Sequence, residues 1–181
     1  QFHKPSQLIF MKKLFIALIA LLGVCTSASA QKANFTFGYG GYTLMDACDY
    51  DDDLGKVKTA WGALNVGVNF KVLPNFWLGP SYTFSSSQFK HSDIDLYYHV
   101  IMLNGRYDYY KNRMVTMYAH VGLGVDITHM DLPNDTRNKG YFAYHIAPIG
   151  VDVPLSRSFT LFGEVGFGAQ GLLQVGGRVN F

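Results

Sequence analysis

The side chains in this sequence best suited to chemistry are its histidines, a serine run and a dense set of aspartates. A histidine held between a hydroxyl and a carboxylate activates the hydroxyl for acyl transfer. His120 and Asp126 share one side of an alternating run. Six residues of extended chain at about 3.4 Å each nevertheless set them roughly 20 Å apart, beyond hydrogen-bond reach. No motif spacing joins His129, Ser85, Ser86, Ser87, His91 and Asp93, so these read as ordinary polar residues and no catalytic residue is assigned. Asp46, Asp49, Asp51, Asp52 and Asp53 crowd one segment, and Asp49-x-Asp51-x-Asp53 opens like a calcium loop. Leu54 then stands where that loop needs glycine, and Ala60 where it needs a bidentate glutamate. The run reads as a solvated loop that resists aggregation, with weak divalent-ion contact as its only metal chemistry. No metal ligand and no cofactor are assigned. Gly122-x-Gly124 and Gly166-x-Gly168 lie inside strand-like runs, where small residues make room for side chains, and so do not form phosphate loops.

The elements that position these residues are strands. Apolar-alternating segments run over 33–43, 60–70, 76–85, 94–107, 114–128, 141–153, 159–169 and 173–181. Eight segments of about 10 residues match the length that a tilted membrane strand requires. The connections 44–59, 86–93 and 129–140 are long and polar, whereas 71–75, 108–113 and 154–158 are short and carry turn residues. That alternation is the outer-membrane pattern of long loops on one rim and short turns on the other. Period two assigns Val121, Leu123, Val125 and Ile127 to one face, with Gly122, Gly124, Asp126 and Thr128 opposite. Alternation alone leaves open whether the oily face looks inward, as in a soluble lipocalin-like cup, or outward to lipid. Three features favour lipid. Arg106, Asp126, Asp152, Glu164 and Arg178 all fall on the other face, as a polar cluster lining a lumen. Aromatic residues gather near strand ends: Tyr107, Tyr109, Tyr110, Phe159 and Phe181 on one rim, and Tyr141, Phe142 and Tyr144 on the other. The third feature is the terminal Phe181.

The last 23 residues form a hairpin in which Ala169 is expected to pair with Leu173, setting Glu164 directly opposite Arg178. Pro148-Ile149-Gly150, then Phe162-Gly163-Glu164-Val165-Gly166-Phe167-Gly168, then the final Phe181, resemble the small outer-membrane β-barrel proteins of Bacteroidetes-type bacteria. More loosely, the chain resembles the eight-stranded membrane domain of the OmpA and OmpX class. The resemblance implies an all-β fold, an eight-stranded antiparallel up-and-down transmembrane β-barrel in a Gram-negative outer membrane with both termini periplasmic. It also implies contact with outer-membrane lipid and lipopolysaccharide, and a terminal Phe181 read by the barrel-assembly machinery. It marks a fold, not an active site. Three functions follow: a structural or surface-interaction barrel, acting as a monomer with an unidentified loop partner; a narrow channel or small-ligand cup; and a lipid A-modifying enzyme. An eight-stranded barrel has room only for its own side chains, which excludes a wide pore. The first reading is preferred, without enzyme activity.

Residues 11–30 read as a secretory signal peptide: Lys12 and Lys13, a short apolar core, then Ala28-Ser29-Ala30 before Gln31. Residues 1–10 precede Met11, read as the initiator, and are expected to stand outside the fold, which occupies 31–181. Val24 before Cys25 departs from the lipoprotein pattern, so Cys48 becomes the sole cysteine of the mature chain and forms no internal disulfide. Cleavage removes Lys4, Lys12 and Lys13, and the basic count falls from 15 to 12 against 13 acids. The resulting net charge of −1, without a basic stripe, argues against nucleic acid as a partner.

Overall fold

The computed structural model describes residues 32–43, 57–89, 95–132 and 135–181. Eight strands close into one antiparallel barrel in chain order: β1 (Ala33–Gly41), β2 (Val57–Leu73), β3 (Phe76–Phe89), β4 (Asp95–Lys111), β5 (Thr116–Leu132), β6 (Asp135–Pro154), β7 (Phe159–Gly168) and β8 (Leu173–Asn180). β1 pairs with β8, so no edge is left open among the described residues.

The faces follow the alternation. Val125 is 52% exposed and its neighbour Asp126 1%. Ile101, Leu103, Val121, Leu123, Ile149, Val165 and Val175 likewise stand exposed around the outside. An apolar belt of that extent is a surface for lipid, since soluble monomers rarely expose more than a few hundred Å² of contiguous apolar area. On the short-turn rim Tyr107, Tyr109, Tyr110 and Phe181 are exposed, and on the other rim Phe142 stacks beside Tyr144. Phe37 and Phe159 stack on the outer wall over Gly177, which has no side chain to obstruct them.

The short turns have local causes. Asn112 Oδ1 accepts from the backbone N–H of Met114 at 2.8 Å and of Val115 at 2.7 Å, closing the β4–β5 turn. Ser156 Oγ accepts from Phe159 N at 3.0 Å and does the same for β6–β7.

Three expectations need correction. The 129–140 connection is mostly ladder: β5 and β6 stay in register to Leu132↔Asp135, so backbone pairing of polar residues replaces a loop. Similarly, β2 begins at Val57 and β3 runs to Phe89, shortening the loops expected at 44–59 and 86–93. The final hairpin has a different register: Val165 pairs with Leu173, so Glu164 faces Gln174 and Arg178 faces Thr160. The cause is glycine. Gly168 at φ 138° and Gly171 at φ 104° turn the chain out of the β7–β8 ladder. Ala169 instead bonds Tyr144 O, and Gln170 turns into the barrel mouth. The shift is an even number of residues, so every side chain keeps its face.

The aspartate run 46–53, Cys48, the expected signal peptide at 11–30 and residues 1–10 lie outside the described residues.

Candidate functional site

The barrel interior is polar and filled. Its charged part begins with Arg106 on β4, whose Nε donates to Asp108 at 2.7 Å and whose Nη2 donates to Asp152 at 2.7 Å. Arg178 on β8 also pairs with Asp152, through Nη1. Trp77 Nε1 closes this end by donating to Asp108 at 3.0 Å. All four ionic side chains are less than a tenth exposed. Burying charges costs several kcal/mol per ion unless they are paired and hydrogen-bonded, and here one carboxylate serves two guanidiniums. Aromatic rings supply the rest of the support. Arg106 lies 4.0 Å from the Tyr118 ring centroid, and Arg178 lies 4.1 Å from that of Phe162.

Tyr118 connects this cluster to a second one. Its hydroxyl donates to Glu164 Oε2 at 2.9 Å and accepts from Arg178 Nη2 at 2.9 Å. The ring fits because Gly150, its cross-strand partner on β6, has no side chain; a Cβ there would overlap the ring. Glu164 Oε1 faces two histidines, His120 Nδ1 at 3.2 Å and His145 Nε2 at 3.3 Å. His120 Nε2 lies 3.1 Å from Asn104 Oδ1. His145 is fully buried, and its Nδ1 has no hydrogen-bond partner among the described residues.

A bulge in β6 brings His145 into this group. Ala147 is buried, Pro148 and Ile149 both face out, and Gly150 is buried again. The register shifts against β5 and β7 at this point. Proline has no N–H to give a ladder, so a bulge is where it fits.

Of the five lumen residues expected from the sequence, Arg106, Asp152, Arg178 and Glu164 are gathered into this network by the structure. Asp126 stands apart: it meets Thr128 Oγ1 at 3.5 Å, and its Oδ1 has no partner. Glu164 and Arg178 do not pair directly; Tyr118 stands between them. His120 meets Glu164, not Asp126. Ser85 donates to Gly62 O at 2.8 Å, while the side chains of Ser87, His91, Asp93 and His129 lie outside those described. Sequence reasoning missed Tyr118, Asn104, Asp108 and His145. Period two places Tyr118, Asn104 and Asp108 inward, but nothing in the sequence shows which strands bring them together.

The free space between Gln170 and the buried ion pairs is small. A cavity of about 40 Å³ borders Asn65, Asn104, His120, Glu164, Gln170 and Gln174. Gln170 closes it toward the long-loop mouth by donating to Ser81 Oγ at 3.1 Å and accepting from Asn65 Nδ2 at 3.4 Å. On the short-turn side a wider vestibule of about 390 Å³ opens below Arg106 and Arg178.

The family of outer membrane protein beta-barrel domains matches residues 16–180. Among solved structures, the chain is similar to Neisserial surface protein A, with TM-score 0.55 and 13% identity over 83% of this chain and 96% of that one. It is also similar to the N-terminal barrel domain of Pseudomonas aeruginosa OprF, with TM-score 0.51 and 11% identity over 83% and 97%. At such identities the likeness is one of fold. No curated protein sequence matches.

Proposed function

The chain belongs to the outer membrane protein β-barrel domain family, and from that premise we propose that it is a sealed structural or surface-interaction barrel. The observation that carries this reading is the interior, where buried ion pairs, Tyr118, Glu164 and Gln170 fill the cross-section down to a cavity of about 40 Å³. That space admits a water or two, not a hydrated solute file. The narrow-channel reading asks for a continuous path, and the enzyme reading asks for a nucleophile beside a histidine. In the lumen His120 and His145 instead face Glu164 and Asn104, and the Tyr82 hydroxyl that lies 2.6 Å from His99 Nδ1 is on the outer face, away from the lumen. In this reading the working surface is the long-loop rim, with partners that include lipopolysaccharide.

The proposal extends to processing and topology. Cleavage after Ala30 leaves Gln31 as the mature start, both ends of the barrel face the periplasm, and Phe181 is read by the assembly machinery. The Pro148-Ile149-Gly150 and Phe162 to Gly168 motifs support a Bacteroidetes-type origin.

Planar-bilayer recording of purified protein, with folding checked by its heat-shifted mobility in detergent gels, tests the sealed lumen. Folded barrels that insert without steady conductance support the reading. A steady conductance abolished by narrowing the lumen at Gly122 would establish the channel instead.

A further inference from the structure

The geometry points to a binding site for one divalent transition-metal ion of the zinc type inside the barrel, held by His120, His145 and Glu164. One potential ligand atom from each residue lies within 4.8 Å of the others. Metal–nitrogen and metal–oxygen bonds of about 2.0–2.1 Å place neighbouring ligands of a tetrahedron about 3.3 Å apart. Two of the three spacings already have that value: Glu164 Oε1 is 3.2 Å from His120 Nδ1 and 3.3 Å from His145 Nε2. The third, between the two imidazole nitrogens, is no more than 4.8 Å.

The hydrogen-bond inventory agrees. Asn104 Oδ1 at 3.1 Å calls for a proton on His120 Nε2, so a neutral ring turns its Nδ1 lone pair toward a carboxylate oxygen. Either a proton on Nδ1 or a metal ion matches the facing pair, and the uptake test below separates them. Tyr118 donates to Oε2 and leaves Oε1 as the ligand atom. Asn104 and Tyr118 therefore stand where the outer partners of a metal site orient its ligands. Charge balance points the same way. Arg106 and Arg178 are matched by Asp108 and Asp152, while no lysine or arginine among the described residues bridges Glu164.

His145 is fully buried with Nδ1 unpartnered among the described residues, so a metal on Nε2 would leave this ring without the outer partner that Asn104 gives His120. The cavity of about 40 Å³ borders His120 and Glu164 and leaves room for a water to complete the coordination. Two imidazoles with one carboxylate suit zinc, copper or nickel, whereas calcium and magnesium prefer all-oxygen sites.

The test loads refolded full chain, stripped with chelator, with Zn²⁺ and counts metal by mass spectrometry per barrel of heat-shifted mobility. One zinc per folded wild-type barrel is expected. His145→Gln and Glu164→Gln should fall to background, and Asn104→Ala should weaken uptake by about 10–100-fold. Asp126→Asn, which changes a buried carboxylate outside the site, should keep full uptake. A folded wild-type barrel that takes up no Zn²⁺ overturns the site. So does equal uptake by the His120→Gln/His145→Gln variant, which would place the ion elsewhere, as on the aspartate run 46–53. Should these variants not fold, spin-echo modulation of Cu²⁺-loaded wild type decides: histidine nitrogen coupling supports the site, and its absence overturns it.

Discussion

The Tyr118 hydroxyl donates to Glu164 Oε2 at 2.9 Å, and the hydroxyl oxygen itself accepts from Arg178 Nη2 at 2.9 Å. One phenol on β5 thus joins the arginine–aspartate cluster near the short-turn end to the histidine–glutamate cluster above it. Glu164 and Arg178 never touch, yet each depends on the same side chain.

Tyr118→Phe removes both bonds and leaves a buried acceptor and a buried donor without that partner. A stranded buried group costs about 1–3 kcal/mol. The urea refolding midpoint in lipid vesicles should fall accordingly, with the barrel still forming. An unchanged midpoint would mean that water replaces the hydroxyl and the lumen is wetter than described.

Asp152 holds Arg106 at 2.7 Å and also pairs with Arg178. Asp152→Ala removes the only carboxylate paired with Arg178 among the described residues, leaves Arg106 with Asp108 alone, and should cost about 3–5 kcal/mol, since removing one partner leaves uncompensated charge. In double-mutant cycles the Asp152/Arg178 coupling should exceed the Glu164/Arg178 coupling. The reverse order would place the ion pair where the unshifted hairpin register sets it.

The barrel was legible in the sequence because closure and face depend on period and length. Val125 and Asp126 sort to opposite sides by counting alone. Register was not legible. Gly166 to Gly171 reads as strand continued through a tight turn, but glycines at positive φ release β7 from β8 and slide the pairing. The 129–140 segment was polar enough to look like loop, although polar residues pair well in a ladder that stands beyond the bilayer. His145 escaped notice because the Pro148 bulge changes the phase of β6 and no cross-strand neighbour is written in a single sequence. The four lumen charges that do come together were found by face; their actual partners required the fold.

Gly150 gives the Tyr118 ring its place on the β6 wall. Gly150→Val should displace the ring and cost about 1–3 kcal/mol by overpacking. Gly163→Val is the control, because a Cβ there meets only Gln174 O at 3.9 Å on the lipid-facing side. Comparable losses at both sites would show that strand flexibility, not room for Tyr118, sets the need for glycine.

Topology can be read from Cys48, the sole cysteine of the expected mature chain. A membrane-impermeant maleimide should label it on intact cells. A cysteine introduced at Asn75 or Asn112, on the short-turn rim, should react only after the outer membrane is opened. Labelling of those turns on intact cells would reverse the orientation.

The account rests most directly on which side of β5 meets lipid. A nitroxide scan from Val121 to Ile127 in vesicles measures it, using collision with oxygen dissolved in the bilayer. The odd positions should show high oxygen accessibility, and Gly122, Gly124 and Asp126 should show little collision with oxygen or with a water-soluble nickel complex. High oxygen accessibility at the even positions, or none at the odd ones, would contradict a barrel whose oily face meets lipid and whose polar face closes on itself.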